Sequence, residues 1–372
     1  MKKRLYRKLR RYTRKVYKNF KKRSINRRVK LLTAAVCGML RTCGSHMSNL
    51  GYGLPQKITA HSQHKTMKGF LENKWVDYDT FYRPFINKIL KQIFKNKEYS
   101  SKIKLIIDGS KMGSSHMALM ISLWYEGRGI PLVWLVRKKP KGHFKEAVHL
   151  EVFKKAEELL QSYLTPAHQV IFMGDGEFDG CDLQQYCKNA GWDFVFRTAE
   201  NSVFYENETR FQPKDISVDE KQQFYSIPDT EFTEEKRKKV HFVLWHTKEH
   251  ENPLPLISNL SEPIDIIEAY RKRYSIEAMF KDIKSTTFNV HKTRLTKAYS
   301  ISNLIMIAAI SLVLLIKVGQ KYQYSPLRKY VNRLRKDQKV NTLITYGRDY
   351  VKYSLDNGET LSFSYKFSKN SS

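Results

Sequence analysis

KIKLIIDGSK (residues 102–111) breaks with everything before it in this chain: helical spacing gives way to an apolar run ending in Asp-Gly. VIFMGDGEFDG (residues 170–180) repeats the pattern. Both read as buried strands that stop at a turn, and each ends on an acid, Asp108 in the first and Asp175 in the second. In open α/β sheets, working groups gather beyond the carboxyl ends of strands. Taken alone, each Asp reads first as turn chemistry, because Asp-Gly is a common strand-ending pair.

Between them, MALMISLWYEGRGIPLVWLVRKK (residues 117–139) forms two apolar, aromatic runs around Gly127-Arg128-Gly129, a hairpin signal. Residues 145–162 and 179–190 have helical spacing, DFVFRTA (193–199) and VHFVLWHTK (240–248) read as strands, and residues 203–247 lean towards strand. Ser261-Glu262-Pro263 opens a long helix expected to run to about Ser285. The result is a mixed α/β sheet with a β-rich insertion before its last helices.

On that helix, at about 100° per residue, Tyr270, Arg273, Glu277 and Lys284 fall within one arc of roughly 60°. Ile276, Met279, Phe280 and Ile283 occupy a separate face fit to lie on a sheet. Asp282 falls well off the charged stripe, so Glu277 is the acid aligned with the cations. An ordinary exposed helix would scatter its charges, as Arg271, Lys272 and Lys281 do here.

The spacing Tyr270-x2-Arg273-x3-Glu277-x6-Lys284 resembles the Y-(2)-R-(3)-E-(6)-K signature of bacterial insertion-sequence DDE transposases, the insertion sequence four family. Asp108 and Asp175 stand where that family's first two catalytic acids belong. The resemblance covers roughly Lys102 to Leu295. It implies a ribonuclease-H-like mixed sheet with flanking helices and a β-rich insertion, preceded by an all-α DNA-binding region. The implied activity is metal-dependent cleavage at the element's ends followed by strand transfer, that is, cut-and-paste transposition. Asp108, Asp175 and Glu277 would be both catalytic residues and ligands of two Mg²⁺ ions, with Mn²⁺ as a substitute. Tyr270, Arg273 and Lys284 would grip DNA, and Trp245 would stack a displaced base. The partners implied are double-stranded DNA, at inverted-repeat ends and target, and a second copy of the chain on that DNA. One departure is Gly176-Glu177-Phe178 after the second Asp, where relatives often carry a basic middle residue; Glu177 and Asp179 are thereby competing acids. The division expected is 1–97, a basic arm and helical DNA-binding region; 98–318, the catalytic domain with its insertion at about 200–258; and 319–372, a basic C-terminal region. A ribonuclease-H-like nuclease without strand transfer, or a decayed basic DNA binder, are the alternatives.

Charge agrees with a nucleic-acid partner. Lys and Arg total 67 against 36 Asp and Glu, a net charge of +31, and no acid precedes Glu72. Residues 1–71 hold 20 of the cations, sixteen of them in residues 1–30 among Tyr6, Tyr12, Tyr17 and Phe20. Such self-repulsion is tolerable opposite a polyanion; an anionic membrane surface is the second choice. The first thirty residues read as an arm that is helical when bound and frayed when free. An apolar helix to about Arg41, a break at Cys43-Gly44, and a short helix capped by Ser45 outline a helix-turn-helix.

Four cysteines (Cys37, Cys43, Cys181, Cys187) without a Cys-x-x-Cys pair argue against a disulfide scaffold and a structural zinc site and suit a reduced, cytoplasmic protein; the transposase resemblance implies a bacterial, nucleoid-associated one. Leu31–Leu40 lacks a cleavage site, and the uncharged run Ala298–Ile316 contains Ser300, Ser302, Asn303 and Ser311. It reads as a buried core helix and not as a membrane span.

Overall fold

The computed structural model describes residues 2–95, 101–139, 141–218, 223–235, 237–247, 250, 252–327, 330, 342–359 and 361–363. The expected boundary at 97/98, the last residues of the helices foreseen up to Lys97, and much of the C-terminal region lie outside them.

Among the described residues, six helices precede the sheet: α1 (Lys2–Val16), α2 (Arg23–Thr42), α3 (Met47–Gly51), α4 (Ala60–Leu71), α5 (Tyr78–Phe81) and α6 (Arg83–Ile93). The frayed arm is corrected here. Leu5, Leu9 and Tyr12 place one apolar stripe on α1, all three are buried, and the helix docks on α2 and α6. Basic residues occupy its outer face, so the positive charge is fixed to the body of the protein. The helix-turn-helix outline is corrected too. Cys43 ends α2 in the left-handed conformation (φ 51°). His46, not Ser45, is the residue whose side chain caps α3, while the Ser45 hydroxyl donates to the Asn289 carbonyl at 3.0 Å. α3 has five residues with Leu50 and Gly51 buried, too short and too covered to project as a reading helix.

Among the described residues ten strands follow: β1 (Lys102–Met112), β2 (His116–Tyr125), β3 (Arg128–Lys138), β4 (Gln169–Gly174), β5 (Asp193–Arg197), β6 (Phe204–Glu206), β7 (Thr209–Phe211), β8 (Phe224–Phe232), β9 (Lys238–Trp245) and β10 (Leu254–Ser258). They form one mixed sheet in the order β3-β2-β1-β4-β5-β10-β9-β8-β6-β7. β1, β2 and β3 are antiparallel neighbours; β4 runs parallel to β1, and β5 parallel to β4. The β2–β3 turn is Glu126-Gly127, both at positive φ (47° and 74°), one step earlier than the glycine pattern suggested. The β-rich insertion extends the main sheet, because β10 pairs antiparallel with β5.

Helices α7 (Glu146–Leu160) and α8 (Cys181–Asn189) follow β3 and β4. The long helix expected from Glu262 is α9 (Pro263–Lys272) and α10 (Tyr274–Lys281), tightened at Arg273 and followed by a π-helical turn, Asp282–Thr286. At the joint, the hydrogen bonds from Arg273 N to Tyr270 O and from Ile276 N to Arg273 O span three residues instead of four. α11 (Ala298–Tyr322) is long and apolar enough to cross a bilayer by composition, yet 94% of its most apolar window is buried inside the protein. It is the central core helix, lying against α2, α4, β3 and a last helix, α12 (Leu343–Asp356). Residues 342–356 of the expected tail are thus part of the body. Buried apolar residues from Leu5 to Phe363 form one continuous cluster.

Candidate active site at the edge of the parallel strands

Register brings the two aspartates together. β1 pairs with β4 from Lys102↔Gln169 to Ile106↔Met173; continued two residues, that register runs to Asp108 within β1 and to Asp175 just past the end of β4, and so brings the two acids side by side. Neighbouring strands lie about 4.8 Å apart. Each acid is held by a turn: Asp108 accepts from Gly109 N at 2.7 Å, and Asp175 from Glu177 N at 3.0 Å. Burial, reinforced by the charge of Asp175, pushes Asp108 up to about 7; Arg273 and the Gly109 hydrogen bond oppose the rise, and Glu277 adds to it. Three acids from β1, β4 and α10 therefore share one electrostatic environment.

α10 reaches that environment because it lies across β1, β2 and β3. The approach is close: a Cβ on Gly129 of β3 would stand 3.2 Å from Met279 Cβ and Sδ. Arg273 donates to Glu277 Oε1 at 2.5 Å and stacks over Tyr270 at 5.4 Å. Burial works to lower the Arg273 guanidinium, but Tyr270, Glu277 and Asp108 together raise it above its ordinary value. Tyr270 is buried, which raises its phenol against the pull of Arg273 and Arg197. Lys284, carried by the π-helical turn, donates to Ser110 Oγ at 3.0 Å, on the face of β1 that Asp108 shares. Arg273 and Glu277 thus share the electrostatic environment of Asp108, Tyr270 that of Asp175, and Lys284 reaches β1 at Ser110. Among the described residues, however, no group of three or more His, Cys, Asp or Glu is arranged to hold a metal ion.

The neighbouring acids have other work. Asp179 accepts from Thr198 Oγ1 at 2.6 Å, and Asp282 accepts from Thr286 and Thr287 at 3.0 Å each, closing its own π turn. Glu177 ties the Asp175 turn to the segment before α7. It accepts from Phe144 N, His143 Nδ1 lies at 3.0 Å and the buried His149 Nε2 at 3.4 Å. Burial tends to raise its carboxyl, but the bonds from His149, Phe144 and His143 outweigh that and hold it below its ordinary value. Sequence reading found Glu177 only as a competitor and missed its histidines; His149 carries no local signal beyond its place on α7. Trp245 lies at the end of β9, 8% exposed, with the Arg271 guanidinium 5.0 Å over its ring.

No curated protein matches the chain. Among solved structures, Marinitoga piezophila Argonaute with 5′ OH guide RNA and target DNA is 11% identical with a TM-score of 0.24, covering 69% of this chain and 37% of that one. The same protein with guide RNA is 13% identical at a TM-score of 0.26, covering 68% and 40%. Clostridium butyricum Argonaute bound to a guide DNA and a 19-mer target DNA is 14% identical at 0.22, covering 66% and 33%. The chain spans two-fifths or less of the length of these proteins, and overlap this loose carries no structural argument. A family model, the transposase DDE domain, matches residues 91–314. That is more than half of the chain, which therefore belongs to the transposase DDE domain family.

Proposed function

We propose that the chain is a cut-and-paste transposase of the insertion sequence four family, with a ribonuclease-H-like catalytic core. On this reading it cleaves the element's ends and transfers the freed strands into target DNA. The observation that carries it is the β1–β4 register, which aligns Asp108 with Asp175 beneath the helix bearing Glu277. The strand order 3-2-1-4-5, antiparallel then parallel, supports the core assignment.

The donor set suits hard divalent cations: it is all carboxylate, and Asp108 and Asp175 repel one another in a way that bound positive charge would relieve. Asp108 with Asp175 would hold one ion, and Asp108 with Glu277 the other. Glu277 has to leave Arg273 to take part, and in this structure Arg273 supplies the positive charge the acids face. Held there, Mg²⁺ would supply charge neutralisation at the phosphoryl group and a lowered water pKa. The chain's own residues do the rest. Arg273, with its planar fork, and Lys284, as a point charge, bind the phosphates flanking the scissile bond. Tyr270 supports Arg273 from below. Ser110 holds Lys284 beside the acids. The freed 3′-OH, kept in the same site, then loses its proton and attacks a target phosphate, and the target strand's own 3′ oxygen leaves as the new bond forms.

A displaced base stacking on Trp245 would require Arg271 to move off its ring. Pairing of two ends implies a homodimer on DNA, and bacterial cytoplasm as the place of action. The test is divalent-metal-dependent nicking and joining of DNA carrying the element's terminal inverted repeats. Asp108→Ala, Asp175→Ala and Glu277→Ala should each abolish both steps, and retained activity in any of them would overturn the assignment. Cleavage without a joined product would leave a nuclease of the same fold.

A further inference from the structure

Away from the carboxylates, the first half of α2 and the second half of α4 enclose an open groove of about 970 Å³. Arg23, Arg27, Arg28, Lys30 and Lys65 line it, and no acid does. None of these five cations forms an ion pair among the described residues. Arg23, Arg27 and Lys30 follow helical spacing, so they stack along one face of α2. Like charges at that spacing repel, and α2 has no acid in its first turn to offset them. The folded chain alone gains nothing from this arrangement, whereas a polyanion laid along the groove would neutralise it.

The groove wall has a second peculiarity. Gly69 lies in α4, exposed, and a Cβ added there would meet nothing within 4 Å. Glycine is a poor helix former, and no neighbour in the fold requires its absence of a side chain. What a bare backbone does offer is close approach by a ligand.

We propose that this groove seats the sugar–phosphate backbone of double-stranded DNA outside the catalytic site, holding the duplex that the acids cut. The choice of DNA rests on the transposase reading; the groove's preference for a phosphate polymer rests on its charge and shape. Phosphate contacts of this kind position a duplex without reading its sequence.

The test uses the full chain in an Asp108→Asn background without divalent metal, and a fluorescently labelled DNA duplex whose binding is followed by anisotropy across a salt series. Each phosphate contact contributes about 0.9 to the slope of log affinity against log salt. Arg27→Ala/Arg28→Ala/Lys65→Ala should lower that slope by about 2 to 3 and weaken affinity at least about tenfold at moderate salt. Lys154→Ala/Lys155→Ala/Lys214→Ala removes equal charge elsewhere and should change the slope by less than about 1. Gly69→Asp, which introduces an acid without a steric conflict, should weaken binding in the same direction and serves if the triple variant fails to fold. Equal losses in the groove and control variants, or an unchanged slope in the groove variants, would overturn the proposal. A larger loss for duplex RNA than for duplex DNA would overturn its choice of partner. Nicking by the unmodified chain is scored separately. Groove-dependent binding without any cleavage keeps the groove and removes the enzyme reading, and normal cleavage with a silent groove does the reverse.

Discussion

The edge of the parallel strands and the groove between α2 and α4 handle charge in opposite ways. At the strand edge, Asp108 and Asp175 are set side by side, partly buried, with Arg273 and Lys284 close at hand. Repulsion there is local, short-range and weakly screened. In the groove, five cations face solvent with no acid among them, so their mutual repulsion is screened by salt. The first arrangement suits chemistry on one phosphodiester; the second suits holding many phosphates. The difference teaches that net charge and catalytic charge are separate design problems in this chain, solved on different elements.

The largest effect expected from breaking that contrast is at the strand edge. Asp108→Asn, Asp175→Asn or Glu277→Gln should each reduce cleavage by roughly a thousandfold or more, since each removes several kcal/mol of transition-state stabilisation. DNA affinity should hold or rise, measured by anisotropy on the same samples. Asp108 also carries a pH signature. Its carboxyl is lifted to about 7 in the fold, so its ionised form weighs against folding progressively from about pH 4 upward and fully above pH 7. Asp108→Asn should therefore raise the Tm at pH 8 and leave it nearly unchanged at pH 4, in metal-free buffer.

A second variant acts through position alone. Gly129→Val forces α10 away from β3 at Met279 and should destabilise by about 1–3 kcal/mol. It should also lower cleavage more than binding, because Glu277 rides on α10. Glu177→Ala leaves Phe144 N and His149 Nε2 without their acceptor. Loss of such a support should reduce turnover by roughly tenfold to a hundredfold with DNA affinity kept. Calorimetric unfolding and single-turnover cleavage on the same preparation check both.

The smallest effect sits in neither region. Lys317, buried on α11, reaches Gln92 Oε1 at 3.3 Å and is lowered to about 7 by burial, with Lys88 adding to the shift. Its charge opposes folding fully below pH 7, and the penalty fades as pH rises towards the unfolded value near 10.5. Lys317→Met should stabilise by about 2 kcal/mol at pH 6 and by little at pH 10, read by denaturant unfolding.

Much of the strand edge was legible before any coordinates. β1 and β4 announce themselves because they are buried on both faces and so read as unbroken apolar runs, each with an acid at the point where burial ends. The stripe of Tyr270, Arg273, Glu277 and Lys284 was legible because helical period maps spacing onto direction, although the wheel assumed a uniform helix. The tightening at Arg273 and the π turn at Asp282–Thr286 depend on side-chain bonds such as those from Thr286 and Thr287 to Asp282, which periodicity does not encode. The joining of the insertion to β5 through β10 is a long-range pairing with no local signature. The groove was illegible for the same reason: Lys65 is 35 residues from Lys30, and only the fold brings α4 beside α2. α1 misled because its cations hid Leu5, Leu9 and Tyr12, a stripe narrow enough to be outvoted by composition.

The central claim is that Asp108, Asp175 and Glu277 act as one unit. Residues that act together lose their effect together. The decisive measurement is single-turnover cleavage, at saturating DNA, by Asp108→Asn, Glu277→Gln and the double variant. The account predicts a double variant no slower than the worse of the two single ones. Losses that multiply would show two independent groups and contradict it.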